Sequence, residues 1–391
     1  MVSNFRLQRA PLRTGLMVLF FLTVFISACG PSSTSSSSPT PTVTLGRISS
    51  PTSTSSQGIK GIFHEYALPA SPFAPLTITA GPDGNLWFTE IMNGQDGSVQ
   101  ASKIERITPT GTFSEFPLPS AHTSATDIIT GPDGNLWFTE GNKIARITPM
   151  GKISEFPLPS ANTFPSSITT GPDGNLWFTE QSKIGRMTLT GKVSEFSLPF
   201  HQYPAGPSPK APAGSAQGEP LAITAGADGN LWFTEIGNGQ LGSSIGRITT
   251  AGKITEFPLP SATTFPSSIT SGPDGNLWFT ETGVRGGSSK IGVITPQGKT
   301  REFTLSHSVL GSITRGPEGS LWFSEFQYGG KNGGTGKIGR ITTAGKISEF
   351  PLPTSGNGPI SITFGTDHTL WFTEDDVTDF YGKNGKIGHL I

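Results

Sequence analysis

Seven glutamates, Glu90, Glu140, Glu180, Glu235, Glu281, Glu325 and Glu374, each close a copy of one phrase, Leu-Trp-Phe-Thr/Ser-Glu. Carboxylates of this kind serve as general acids, general bases or cation ligands. A reaction centre uses one or two such groups, whereas a group that every unit needs appears in every unit, so the repetition points to a scaffold role. Departures from the repeat are the better guide to chemistry. The six histidines, His64, His122, His201, His307, His368 and His389, form no His-x-x-His or Glu-x-x-His pattern. His122, His201 and His307 fall in connections, where an imidazole titrating near neutrality can accept a proton, and His201 is the candidate catalytic base. Glu374, Asp375, Asp376 and Asp379 offer oxygen ligands to a hard cation, but their spacing matches no EF-hand loop and a solvated acidic turn is expected. No stretch past residue 30 shows sustained helical periodicity, so neither a nucleophile elbow nor a phosphate-binding glycine loop, each of which opens a helix, is expected.

The elements that carry these residues follow from the same phrase. All seven tryptophans of the chain lie in it, at Trp87, Trp137, Trp177, Trp232, Trp278, Trp322 and Trp371, with steps of 50, 40, 55, 46, 44 and 49 residues. That period suits a four-stranded propeller blade. In the third unit the inner strand is Ser167 to Thr170, a Gly-Pro-Asp-Gly-Asn turn follows, and Leu176 to Glu180 is the second strand. Lys183 to Thr188 is the third strand, and Lys192 to Leu198 the fourth. The fourth-strand phrase, Glu-aromatic-x-Leu-Pro or a close variant, begins at Glu65, Glu115, Glu155, Glu195, Glu256, Glu302 and Glu349. It is out of phase with the tryptophans: Glu65 precedes the first unit, and no such strand follows the last. A ring explains the shift, because the strand around 62–68 can complete the seventh blade and remove an open edge. The predicted fold is all-β, a seven-bladed β-propeller of four-stranded antiparallel blades closed three strands plus one.

On such a ring, the connections from strand two to three share a rim with those leading to the next blade. Here the repeat is uneven. The strand-two to strand-three connections are long at 91–102, 236–244, 282–289, 326–336 and 375–385, and short in blades two and three. An insert at 200–222 stands beside blade four. Tyr203, Tyr328 and Tyr381 lie in these extra segments, with Lys210 in the insert, and loops on a rigid scaffold commonly carry recognition. The candidate ligand-binding residues are therefore Tyr203, Tyr328, Tyr381 and Lys210, and the expected ligand is a small molecule, glycan or peptide. Loop decoration without function is the competing account.

Formal net charge is −1, with 27 basic and 28 acidic residues scattered through the repeats, which excludes a nucleic-acid footprint. Residues 1–28 carry Arg6, Arg9 and Arg13, then an apolar run from Leu16 to Ile26, and have the form of an export signal. Ile26-Ser27-Ala28-Cys29 resembles a bacterial lipobox, so Cys29 is the expected lipidation site and the chain is expected to be exported and anchored to the bacterial cell membrane, facing its extracytoplasmic side. Cys29 is the only cysteine, so no disulfide within the chain is available. Residues 29–60 supply the lipidated cysteine and a Ser/Thr/Pro-rich linker that buries too little apolar surface to order itself. Residues 61–391 form the propeller, expected to be monomeric.

Gly-Pro-Asp-Gly-Asn-Leu-Trp-Phe-Thr-Glu, then Lys-Ile-Gly-Arg-Ile-Thr, then Glu-Phe-Pro-Leu-Pro resembles the virginiamycin B lyase, or streptogramin lyase, family over about residues 61–391. The resemblance implies a seven-bladed propeller that opens the ester-closed ring of streptogramin B antibiotics by elimination, with a histidine base and Mg2+. The family's histidine follows a proline at the start of an inner strand, as Pro-His-x-Ile. The matching positions here are Leu76, Thr126, Ser166, Leu221, Ser267, Gly311 and Ile360, none of which can take a proton at neutral pH. Glu219-Pro220-Leu221 resembles the family's Glu-Pro-His, whose glutamate helps to hold magnesium. With Glu235 at the end of the next strand, the resemblance marks Glu219 and Glu235 as the candidate metal ligands. Little or no lyase activity is expected unless His201 or another loop histidine supplies the base.

Overall fold

The computed structural model describes residues 61–69, 72–94, 98–160, 163–203, 214–237, 242–261, 264–283, 287–305, 308–328, 334–376 and 385–391. The segments read as export signal and linker, with Cys29, and also Lys210, His307, Asp379 and Tyr381, lie outside these residues. Among the described residues no helix is long and apolar enough to cross a membrane.

Seven four-stranded antiparallel sheets form the molecule. Six are built from consecutive strands, and the seventh is ordered with Phe63–Ala67 beside Lys386–Leu390, then Leu370–Asp376, then Asn357–Phe364. The expected closure is thus present. Phe63 pairs with Leu390 and Ala67 with Lys386, and Ile62 and Ile391 exchange backbone hydrogen bonds of 3.3 and 3.0 Å.

Blade stacking follows from the residue pattern of strand two. Leu231, Trp232 and Phe233 are fully buried on consecutive positions, so they leave opposite faces of the sheet. Trp232 enters the cluster of Leu277, Phe279 and Ile294 in blade five, while Leu231 and Phe233 meet Trp177 of blade three. The same interleaving recurs at all seven interfaces. The last interface sets Trp371 of blade seven against Ile78, Leu86, Phe88 and Ile107 of blade one. In blades one to five the turn aspartate also fixes the tryptophan: Trp177 Nε1 donates to Asp173 Oδ1 at 2.9 Å, and its ring stacks on Phe196 with Arg186 over it. Gly191 has φ of +90°, and a Cβ there would stand 2.6 Å from the Phe156 ring of blade two, so glycine is required both by conformation and by room. His368, read as standing at a turn-glycine position, does have a left-handed φ of 62°.

Hydroxyls tie the inner strands together. Thr179 Oγ1 donates to Leu221 O at 2.7 Å, Thr280 to Gly311 O at 2.9 Å, and Thr373 to Leu76 O at 2.7 Å across the ring closure. The accepting residues stand where the resemblance expects a histidine. They lie within a β-bulge, as between Pro75 and Ile78 or Pro220 and Ile223.

Three segments read as connections prove to be ordered pairing. In blade one, strand Leu86–Asn93 continues past Glu90, with Ile91 opposite Ser102 and Met92 opposite Ala101. In blade six, Ser320–Tyr328 runs on against Gly334–Thr342 until Tyr328 faces Gly334. The insert holds a two-stranded ribbon, His201–Tyr203 against Gly214–Ala216, and its last residues, from Glu219, already belong to blade four's inner strand. Rim length was legible in the sequence, but cross-strand pairing at these hairpins carried no repeated phrase to mark it.

Candidate functional site at the rim of blade four

The seven strand-two glutamates share one arrangement. All are buried, from 0% exposed at Glu90 to 3% at Glu235. Directly opposite this glutamate on strand three, six blades carry a lysine: Lys103, Lys143, Lys183, Lys290, Lys337 and Lys386. The lysine reaches the strand-four glutamate, as Lys183 reaches Glu195 at 2.6 Å and Lys143 reaches Glu155 at 2.9 Å. In blades two, three and seven a hydroxyl from the connection entering the blade completes the set, Ser120 on Glu155, Ser160 on Glu195 and Thr354 on Glu65. These are structural networks, as the repetition indicated.

Blade four breaks the arrangement. The position opposite Glu235 is Ser244, and its hydroxyl donates to Glu235 Oε2 at 2.6 Å. Sequence reasoning placed Ser244 in the connection, whereas it opens strand three in register with the lysines. A different partner arrives from the connection side. His201, at the start of the inserted ribbon, brings Nε2 to 2.5 Å from Glu256 Oε2. Ligand atoms of His201, Glu235 and Glu256 all lie within 4.8 Å of one another. Burial pushes the Glu235 carboxyl up to about 7, against the opposing bond from Ser244, and burial also raises Glu256 in spite of His201. Gly218 closes the other side: its backbone N–H bonds Glu235, and a Cβ on it would fall 1.9 Å from Glu235 Oε1. Phe200, next to His201, is 69% exposed on this rim.

Of the residues singled out from the sequence, His201 and Glu235 come together. Glu219 pairs with Ile236 and Glu235 with Pro220, so Glu219 and Glu235 leave opposite faces of the strand pair. Burial raises the Glu219 carboxyl, but the carboxylate gathered with Glu235 is Glu256. Tyr203 stands opposite Gly214 in the ribbon and Tyr328 opposite Gly334 at the end of the blade-six hairpin. Glu256 and Ser244 escaped the sequence reading. The signal was there: the Lys-Ile pair of the other six units becomes Ser244-Ile245 in the one blade that the insert overhangs.

The virginiamycin B lyase family model matches residues 96–209 and 202–379. The chain belongs to the virginiamycin B lyase family. A solved streptogramin B lyase structure is 34% identical with a TM-score of 0.65, over 84% of this chain and 97% of its own. A catalytically inactive histidine-to-alanine virginiamycin B lyase from Staphylococcus aureus, solved with quinupristin, is 34% identical over 84% of this chain and 98% of its own, with a TM-score of 0.66. No curated protein matches the chain. Within this virginiamycin B lyase family member, the seven positions that match the family's histidine carry leucine, threonine, serine, glycine or isoleucine, and the imidazole of blade four enters from an insert instead.

Proposed function

We propose that this chain is an exported, membrane-anchored member of the family that captures a small molecule, glycan or peptide on the rim built by its extended hairpins and the blade-four insert. The observation that carries this reading is the asymmetry of that rim. The hairpins of blades one and six and the ribbon of His201–Tyr203 with Gly214–Ala216 rise on the side where blades two and three have minimal turns, and Phe200, next to the ribbon, is exposed. An apolar ring beside a few convergent polar groups is the usual make-up of a ligand site. Loss of streptogramin-opening chemistry goes with it, since a relative becomes inactive on replacement of one histidine and all seven matching positions here lack an imidazole.

One observation favours a second reading, a Mg2+-dependent C–O lyase with a relocated base: His201 is held by the Glu256 carboxylate next to Glu235. A carboxylate-oriented imidazole is a sound general base. The magnesium of that reading would need Glu219 and Glu235 as a pair, and their opposite faces fit it poorly, so no step is assigned to the ion.

Full-length protein incubated with a streptogramin B, with and without magnesium, separates the two. Return of unaltered antibiotic is expected. A linear product of unchanged mass and shifted retention, lost in His201→Ala, would establish the lyase instead, whereas hydrolysis would add a water. Trimming of the insert should stop before Gly218, because Glu219 onward forms the inner strand of blade four.

A further inference from the structure

We infer that His201, Glu235 and Glu256 form a binding site for a divalent transition-metal ion of the zinc class, one that fastens the inserted ribbon to blade four. The inference is independent of which ligand the rim captures.

Its basis is the exchange seen in one blade out of seven. In the other six blades a lysine opposite the strand-two glutamate pairs with the strand-four glutamate, and in blades one and six it reaches both, as Lys337 does at 3.9 Å from Glu325 and 2.6 Å from Glu349. Blade four keeps both carboxylates, buries Glu235 to 3% exposure, and removes the ammonium by placing Ser244 there. Two buried carboxylates without a fixed positive charge are costly. A neutral imidazole does not offset them, while a divalent ion ligated by that neutral imidazole does. The donors already converge within 4.8 Å, and an ion bound at about 2.1 Å in a tetrahedron needs them about 3.4 Å apart. His201 Nε2 and Glu256 Oε2, now 2.5 Å apart, would open by less than that figure to admit it. Glu256 Oε1 is buried and has no hydrogen-bond partner, so the carboxylate holds an unused lone pair on that side. Ser244 Oγ and the Gly218 N–H bond Glu235 and orient it, as outer groups do around metal ligands.

The donor chemistry selects the ion. One imidazole nitrogen with two carboxylate oxygens suits Zn2+ and its first-row neighbours, whereas Mg2+ and Ca2+ favour oxygen-only sets. The His201 side chain is 41% exposed, which gives the ion a route in and leaves its remaining position to water or to a group of the ligand. An ion bound to Nε2 also blocks the nitrogen that now meets Glu256.

The test uses purified full-length protein stripped with a chelator and titrated with ZnCl2 in a calorimeter, with metal content read after dialysis. One zinc per chain is expected, with MgCl2 at large excess failing to displace it. His201→Ala should weaken binding by about 100-fold or more, beyond the usual effect of losing an outer group. Ser244→Lys restores the ammonium of the other six blades. It should abolish zinc binding while the melting temperature stays at or above that of the parent, so a folding defect cannot imitate the result. Stoichiometric zinc in Ser244→Lys or undiminished affinity in His201→Ala overturns the site. Absence of tight zinc binding by the parent does so as well, and equal competition by magnesium overturns the choice of ion.

Discussion

At the scale of single residues, each blade is organised around one indole. Trp177 is fully buried, its Nε1 donates to Asp173, and Phe196 and Arg186 lie on its face. Burial raises the Asp173 carboxyl, but the bonds from Asn175 and Trp177 reverse the shift and hold it below its ordinary value. Asp173→Ala leaves a buried indole N–H without an acceptor and should cost about 1–3 kcal/mol in chemical denaturation. Trp177→Ala opens a cavity between blades three and four and should cost about 3–5 kcal/mol. A smaller loss for tryptophan than for aspartate would show that the blades collapse into the space. Blade seven reaches the same end by other residues: Trp371 donates to Thr369 at 3.1 Å and stacks on His389 at 3.9 Å, where five of the other six blades place an arginine. Burial lowers the His389 pKa to about 4, so its ring is neutral at physiological pH and stacks as an aromatic rather than as a cation.

At the scale of the strand, the buried glutamates set the response to pH. Burial raises Glu90, Glu180, Glu235 and Glu374 to about 7 from 4.5, and Glu105 to about 8. The folded state thus holds these protons more tightly than the unfolded chain does. Their contribution to stability is complete below about pH 4.5 and is lost as pH rises through 7 to 8. The turn aspartates act in the opposite sense, since Asp83, Asp133, Asp173 and Asp228 are lowered from 3.8 and contribute only above it. Calorimetry should therefore find the melting temperature highest near pH 5 and lower at pH 8, by on the order of 5 °C. A melting temperature that rises across this range would contradict the assigned shifts. The strands that carry these groups were legible in the sequence because Leu-Trp-Phe-Thr/Ser-Glu and its partners repeat in every unit. What was not legible is which carboxylates meet. Glu219 and Glu235 are near each other in the sequence and separated by the pleat, whereas Glu235 and Glu256 are brought side by side by a strand whose first residue, Ser244, lost the lysine that marked it elsewhere. His201 could be picked out as an oddity of the insert, but its partner could not, because the ribbon that delivers it has no counterpart in the other blades.

At the scale of the whole molecule, the ring depends on a strand contributed from the other end of the described chain. Phe63 packs with Phe372 and the cluster around Trp322, and Tyr66 stacks on Trp371 at 5.8 Å, so removal of residues 61–68 strips apolar cover from both faces of blade seven. It also leaves Lys386–Leu390 as an open edge. With three large apolar side chains lost, Phe63, Tyr66 and Leu68, the cost should be on the order of 5 kcal/mol, and self-association through the exposed strand is expected. Loss of these contacts must be separated from mere shortening of the chain, and connectivity offers the means. Because Ile62 and Ile391 are hydrogen-bonded neighbours, a short turn from Ile391 into residue 61 would make the same hairpin that joins strands three and four in the other blades, such as Val193–Ser197 after Lys183–Met187. A permuted chain starting at residue 72 and ending in 391, a Thr-Ala link and 61–69, with Gly61 (φ of 76°) as the turn glycine, should then recover the melting temperature of the parent, as measured by calorimetry, because every strand keeps its partners and only the break in the circle moves. If the truncated chain is destabilised and the permuted chain is not rescued, the seventh blade is held by something other than the pairing of Phe63–Ala67 with Lys386–Leu390.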